Sequence, residues 1–300
     1  MNRTQKLALE WLASSHLEGQ ALVLEALLRR GFLAFEDASG LWLGAGSHPF
    51  DLQALSCIDG LSVVKVHAAG PGYARVRTTV NAARVARSIV SLPEHHVDGV
   101  TSHWTGTGIL NLKAGWGQYR RMAWGAKRAV CGSRYAGHTQ AHDALDLGVA
   151  LLVKTLPLVR VATAYSCDGH GVEEARVDLH FPWDRPWCQE VVGRLLVGPR
   201  HARWDFNGNT LSISSPHGYG DAEVIGLLNE VQRFARRTLD ASLIETVGAA
   251  RAATLQELGE AAPSLADFAA CASRQLDAAL GPRESATSNS ETLPHEEMAL

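Results

Sequence analysis

Apolar residues recur at helical spacing through the first thirty positions. Leu7, Trp11, Leu22, Leu24, Leu27 and Leu28 place a stripe on one face, and Gly31 stands where a helix would stop. Residues 4–30 therefore read as helix, with Gly19 as a point where it can break into two. The pattern then shortens. Segments 32–35 and 41–43 flank the turn Asp37-Ala38-Ser39-Gly40, which predicts a hairpin; helices followed by a hairpin suit a winged-helix arrangement. Segments 62–67 and 73–79 form a second strand pair around Gly70-Pro71-Gly72, and a helix follows over 80–91.

Positions 99–137 are rich in Gly, Ser and Thr and read as loops and short strands. Periodicity resumes at Thr139, which can cap a helix with Asp143 in its first turn and Leu145, Val149 and Leu152 on one face. Pro157 ends that helix. A β-branched strand over 158–164 leads into the loop Ser166-Cys167-Asp168-Gly169-His170-Gly171, and a second strand spans 175–181. A helix over 187–196, a hairpin over 203–214 turned at Asn207-Gly208, and an amphipathic helix over 221–237 complete the pattern. The fold class is therefore α/β (α+β): a small mixed-sheet domain with flanking helices, plus an N-terminal helical and hairpin region. Its divisions fall at 1–98, at 99–137 (basic, aromatic and Gly-rich), at 138–240 (the α/β domain with the loop), at 241–280 (a helical extension) and at 281–300 (a tail of disordered composition). No internal sequence repeat is visible.

Composition narrows the classes. Of 300 residues, 46% are hydrophobic and 20% charged, enough for a substantial core. No apolar run approaches the roughly 18 residues that span a bilayer, and the N-terminus carries no secretory hydrophobic stretch, so a cytoplasmic protein without a membrane partner is expected. Five cysteines, odd in number and without a Cys-x-x-Cys pair, argue against a disulfide framework, a zinc ribbon or a thioredoxin-like motif. A net charge of −3 does not suggest a dedicated nucleic-acid binder, yet its distribution does more than its sum. Between Asp98 and Asp143 there is no acid. That interval holds Lys113, Arg120, Arg121, Lys127, Arg128 and Arg134 among Trp104, Trp116, Tyr119, Trp124 and Tyr135. Arg120, Arg121, Lys127 and Arg128 are thus candidate phosphate ligands, and the aromatics candidate stacking platforms.

The loop at 166–171 concentrates the chemistry. A strand ending in a glycine turn presents its last side chains at an open sheet edge, where ligands bind in α/β folds. Cys167, His170 and Asp168 are candidate catalytic residues, with Cys167 as nucleophile and His170 as its base; Ser166, Gly169 and Gly171 are candidate ligand contacts. The same residues can serve a metal. His138-x3-His142 places two imidazoles on one helix face, and Cys167-x2-His170 is chelate spacing, so these four are candidate zinc ligands, with His180 and Cys188 as further candidates.

Asp143, Asp146, Thr163, Ser166, Cys167, Gly169 and His170 also carry a resemblance. Over about 40 of the 300 residues, the stretch AHDALDLGVALLVKTLPLVRVATAYSCDGHG resembles the core of the wybutosine-synthesis tRNA methyltransferase proteins, whose strand leads into a Thr-Ser-Ser-Cys-Ser-Gly-Arg loop. It also resembles small uncharacterised phage and mobile-element proteins with a Ser-Cys-x-Gly-His loop. His170 stands where the methyltransferase proteins have Arg. The resemblance implies a similar α/β unit, an RNA or nucleotide ligand, and S-adenosylmethionine as the methyltransferase cofactor.

Three functions follow as expectations: a nucleotide- or RNA-interacting protein of RNA-modification type; a zinc-dependent hydrolase or structural zinc protein; and a non-catalytic interaction protein of a mobile element, meeting a protein partner through its C-terminal helices.

Overall fold

The computed structural model describes residues 3–44, 47, 49–66, 72–93, 115–117, 119–120, 146–196 and 201–282. Two helices open the chain as the stripe predicts, α1 (Arg3–Ser14) and α2 (Gly19–Arg30), and Gly31 caps α2 by bonding back to Leu27 and Leu28. Strands β1 (Ala34–Asp37) and β2 (Gly40–Gly44), helix α3 (Pro49–Ser56), strands β3 (Leu61–Lys65) and β4 (Gly72–Thr78), and helix α4 (Ala82–Val90) follow. The Asn81 side chain caps α4, and Val85, Ala86, Ile89 and Val90 form its buried face.

The second half runs α5 (Leu147–Thr155), β5 (Thr163–Cys167), β6 (Ala175–Leu179), α6 (Asp184–Leu195), β7 (Arg203–Asn207), β8 (Thr210–Ser214) and α7 (Asp221–Thr238). Helices α8 (Ala241–Leu258) and α9 (Leu265–Leu280) pack on each other and close the described chain. The α/β class read from the pattern holds, and every strand pairing is antiparallel.

The halves share one plan. From α2 to α4, and again from α5 to α7, the order is helix, two strands, helix, two strands, helix. The sheets run β1-β2-β4-β3 and β5-β6-β8-β7, the same order in each. The sequence shows no repeat because this topology demands only matching polar and apolar periods, which unrelated residues satisfy equally well. One buried core runs through both halves, from Leu27 and Val76 to Leu152, Val177 and Phe234. A buried ion pair joins them: Lys154 of α5 meets Asp51 of α3 at 2.7 Å, each side chain 1% exposed.

Three expectations change. The first hairpin is not a wing, because β2 also pairs with β4 and becomes interior to a four-stranded sheet. The strand expected from 158 begins at Thr163; before it a 3-10 turn spans Leu156–Val159, held by the Trp187 indole donating to the Val159 carbonyl at 2.8 Å. Leu156, Leu158, Val159 and Val161 are all buried, and so short an apolar run has no clear period by which to tell strand from turn. The Ala-rich 241–280 region divides into two helices at Gly259, with Ser264 capping the second. Thr139, Asp143, Leu145 and the tail from 283 lie outside the described residues. Among the described residues, no helix is long and apolar enough to cross a membrane.

Candidate metal centre

Helix α5 begins at Asp146, whose extended backbone (φ −60, ψ 137) fits a cap, yet its carboxylate makes no capping bond to its own helix. It reaches across instead. Asp146 Oδ2 accepts from the main-chain N–H of Asp168 at 3.2 Å, and Asp168 Oδ2 accepts from the Gly148 N–H at 3.3 Å in the first turn of α5. The β5–β6 loop therefore supplies a cap that the helix does not supply itself. Gly148 permits this approach: a Cβ there would lie 2.8 Å from Asp168 Cβ.

Strand β5 then ends in three successive left-handed residues, Gly169 (φ 67), His170 (φ 52) and Gly171 (φ 72). Two are glycines, for which this region costs little; His170 is held there although a side chain disfavours it. The Asp168 carboxylate secures the turn, as Oδ1 accepts from the His170 N–H at 2.8 Å. From α1, Arg3 donates to the Gly171 carbonyl and pairs with Asp221 of α7 at 2.6 Å, tying the loop to two helices.

This turn brings four metal-binding groups together. One ligand atom from each of Asp146, Cys167, Asp168 and His170 lies within 4.8 Å of all the others. Cys167 Sγ sits 3.8 Å from His170 Nε2, and His170 Nδ1 sits 3.4 Å from Asp168 Oδ1. Burial grades across the cluster: the Asp168 side chain is 1% exposed and that of His170 is 52% exposed. Burial pushes the Cys167 thiol up, and Asp146 and Asp168 add to this against the lowering effect of the Gly169 N–H. Burial likewise raises Asp168, with Asp146 reinforcing it and the His170 N–H opposing it. Three groups that become anionic thus crowd one partly exposed cluster, the arrangement that a bound cation relieves.

Of the sequence candidates, Cys167, Asp168 and His170 converge. Ser166 does not: it lies opposite buried Val177, on the core-facing side of the sheet, while Cys167 lies opposite exposed Arg176. Gly169 and Gly171 shape the turn. His180 is buried at the other end of the strand pair, and Cys188 is buried in α6, so neither joins the cluster. His138 and His142 lie outside the described residues, as do Arg121, Lys127 and Arg128.

In the acid-free segment the structure describes Trp116, Tyr119 and Arg120 among its aromatic and basic residues. Trp116 and Tyr119 are buried against Trp183, Phe181 and Phe268, and Arg120 pairs with Glu260 at 2.7 Å. These two aromatics are core rather than stacking platforms. Sequence reasoning missed Asp146 and Gly148 as site residues, because it started the helix at Thr139 and so placed both in its interior. Asp146 was legible only as a position of the family resemblance.

Searches against protein-family models, curated proteins and solved structures found no match to this chain.

Proposed function

We propose that the chain is a zinc-dependent hydrolase whose metal is held by Asp146, Cys167 and His170. The observation that carries this reading is the convergence of four donor groups around one point, at the half-exposed end of a strand. Tetrahedral zinc, with bonds of about 2.3 Å to sulfur and about 2.0 Å to nitrogen, separates those two atoms by about 3.5 Å. The observed Cys167–His170 separation of 3.8 Å is close to that.

Asp168 fits the supporting role. Its carboxylate faces His170 Nδ1, so it selects the tautomer that leaves Nε2 free to ligate, as carboxylate–histidine pairs do at zinc sites. Three protein ligands would leave a tetrahedral zinc one position for water or substrate, and His170, the ligand nearest solvent, is 52% exposed. A zinc ion held there would supply Lewis acidity toward a substrate oxygen and would acidify water, the chemistry of hydrolysis. The chain's own part is to fix the ligands, through the Asp146–Asp168 exchange of bonds.

A Cys167–His170–Asp168 nucleophile relay uses three of the same groups, and Asp146 separates the two readings. A carboxylate beside a thiol opposes the thiolate that a nucleophile needs, whereas a cation site gains a further anionic donor from it.

Elemental analysis of the full chain, purified without an affinity tag, tests the proposal. Close to one equivalent of zinc is expected, falling below about a tenth of an equivalent in Cys167→Ala and His170→Ala. Hydrolysis of activated carboxylic and phosphoric esters should fall with the metal and return when zinc is restored. A metal-free protein that does not take up zinc or cobalt would sink the reading. Alkylation of Cys167 that abolishes a metal-independent hydrolysis would install the nucleophile relay in its place.

A further inference from the structure

The outward face of the first sheet carries a row of residues that no core packing explains. Register places Phe35, Trp42, Arg75 and Val64 side by side across β1, β2, β4 and β3. Their neighbours in sequence, Ala34, Leu43, Ala74 and Val76, point the other way and are buried. Val64 is 55% exposed, while Phe35, Trp42 and Arg75 are half-buried. Arg77, the next outward residue of β4, is exposed opposite Ser62.

The aromatic at the centre of the row is held in place. Trp42 Nε1 donates to Asp37 Oδ1 and to Ser39 Oγ, both at 3.0 Å. The Arg75 guanidinium lies 5.8 Å from the Trp42 ring centroid and donates to the Ser39 carbonyl. The tight β1–β2 turn therefore anchors the indole edge and the guanidinium together, leaving the indole half exposed. The nearby acid is engaged: Asp37 Oδ1 also accepts from the Ser39 N–H, the Ser39 hydroxyl and the Gly40 N–H. Outward the face presents Phe35, Trp42 and Val64 with two cations, Arg75 and Arg77, against one acid, Asp37, at the turn.

We propose that this face binds single-stranded nucleic acid, with bases stacking on Trp42 and Phe35 and phosphates meeting Arg75 and Arg77. Three inter-strand steps of about 4.8 Å make the row about 14 Å long, and four-stranded sheets that present aromatics in this way stack two or three bases. Charge complementarity favours a polyanion over an apolar protein partner, and the flat face favours splayed bases over a duplex groove. The proposal goes beyond the zinc reading and does not rest on it, because the ligands of that centre lie in the second half.

Fluorescence anisotropy with labelled twelve-nucleotide U and dT strands tests it, on the full chain, with zinc and with EDTA. Saturable, salt-dependent binding is expected in both conditions. Trp42→Ala should weaken it by about tenfold, and Trp42→Tyr should restore most of the loss, because tyrosine returns an aromatic face for a base to stack on. Arg77→Ala, at an exposed position that folding does not need, should lower the slope of log affinity against log salt by about 0.7. Circular dichroism confirms that each variant is folded. No saturable binding at low salt, affinity unchanged in Trp42→Ala and Arg77→Ala, preference for duplex, or a protein captured at Val64→Cys by crosslinking in place of nucleic acid would each overturn the proposal.

Discussion

Asp146 and Asp168, twenty-two positions apart, secure one another's surroundings: the Asp168 N–H donates to the Asp146 carboxylate at 3.2 Å, and the Asp168 carboxylate caps the helix that Asp146 begins. Neither residue completes its local structure alone. The exchange brings strand end, loop and helix start to one point, and the metal-binding groups converge there because of it.

Gly148→Ala should therefore act against its usual sign. In an exposed helix interior, replacing Gly by Ala stabilises by up to about 1 kcal/mol. Here the added Cβ meets the Asp168 side chain, its Cβ at 2.8 Å and its Oδ2 at 3.0 Å, and that side chain is held by its own bonds to Gly148 and His170. Overpacking costs of about 1–3 kcal/mol are expected, read from urea unfolding, together with weaker zinc uptake. A more stable variant with full metal content would show that the helix start and the loop are not in contact.

Asp168→Asn keeps the size of the side chain and removes its charge. The amide still has an oxygen to cap α5, but it no longer complements an imidazole whose Nε2 ligates. Zinc affinity, measured against a competing chelator, should fall by about 10- to 100-fold while one equivalent still binds at saturation. Complete loss of binding would make Asp168 a direct ligand.

The Lys154–Asp51 pair should resist single changes and tolerate a double one. Lys154→Met leaves a buried carboxylate opposite an apolar chain, which should cost about 3–5 kcal/mol. Lys154→Met combined with Asp51→Leu removes both charges, and most of that stability should return. A thermodynamic cycle from denaturant unfolding measures the coupling; additive losses would mean that the two charges act separately.

Asp240 should confer a pH-dependent stabilisation. Its carboxylate accepts from the Ser242 hydroxyl and N–H and from the Leu243 N–H, and these bonds hold its pKa below the usual carboxylate value. A depressed folded pKa means that the unfolded chain binds the proton more readily, so the stabilisation is present above pH about 4 and is lost as pH falls further. Asp240→Ala should lower stability at pH 7 by about 1 kcal/mol as a lost helix cap. The gap between variant and native chain should close toward pH 3 in paired urea titrations; a gap that is constant with pH would assign the effect to helix propensity alone.

By itself the sequence determined most of the elements and three of the four converging groups. Apolar periods located α1, α2, α4, α7 and both hairpins, because period and turn chemistry are local properties that neighbouring residues express without the rest of the fold. Cys167, Asp168 and His170 were legible because they crowd within four positions. Only the tertiary structure decided the remainder. Leu156, Leu158, Val159 and Val161 are all buried, although their spacing follows neither a strand nor a helix; the turn depends on Trp187, nearly thirty residues away. Asp146 joins the site through a bond to a strand end that pairing with β6 positions. Trp116 and Tyr119, aromatic in a basic stretch, look like a stacking surface in one dimension and become core when α9 and the segment after β6 enclose them. Trp42 takes the opposite course: set in an apolar strand, it is left outward because the core covers the face that carries its neighbours Leu41 and Leu43. Which side of a sheet is covered is settled by the packing of distant helices, and no local pattern carries that information.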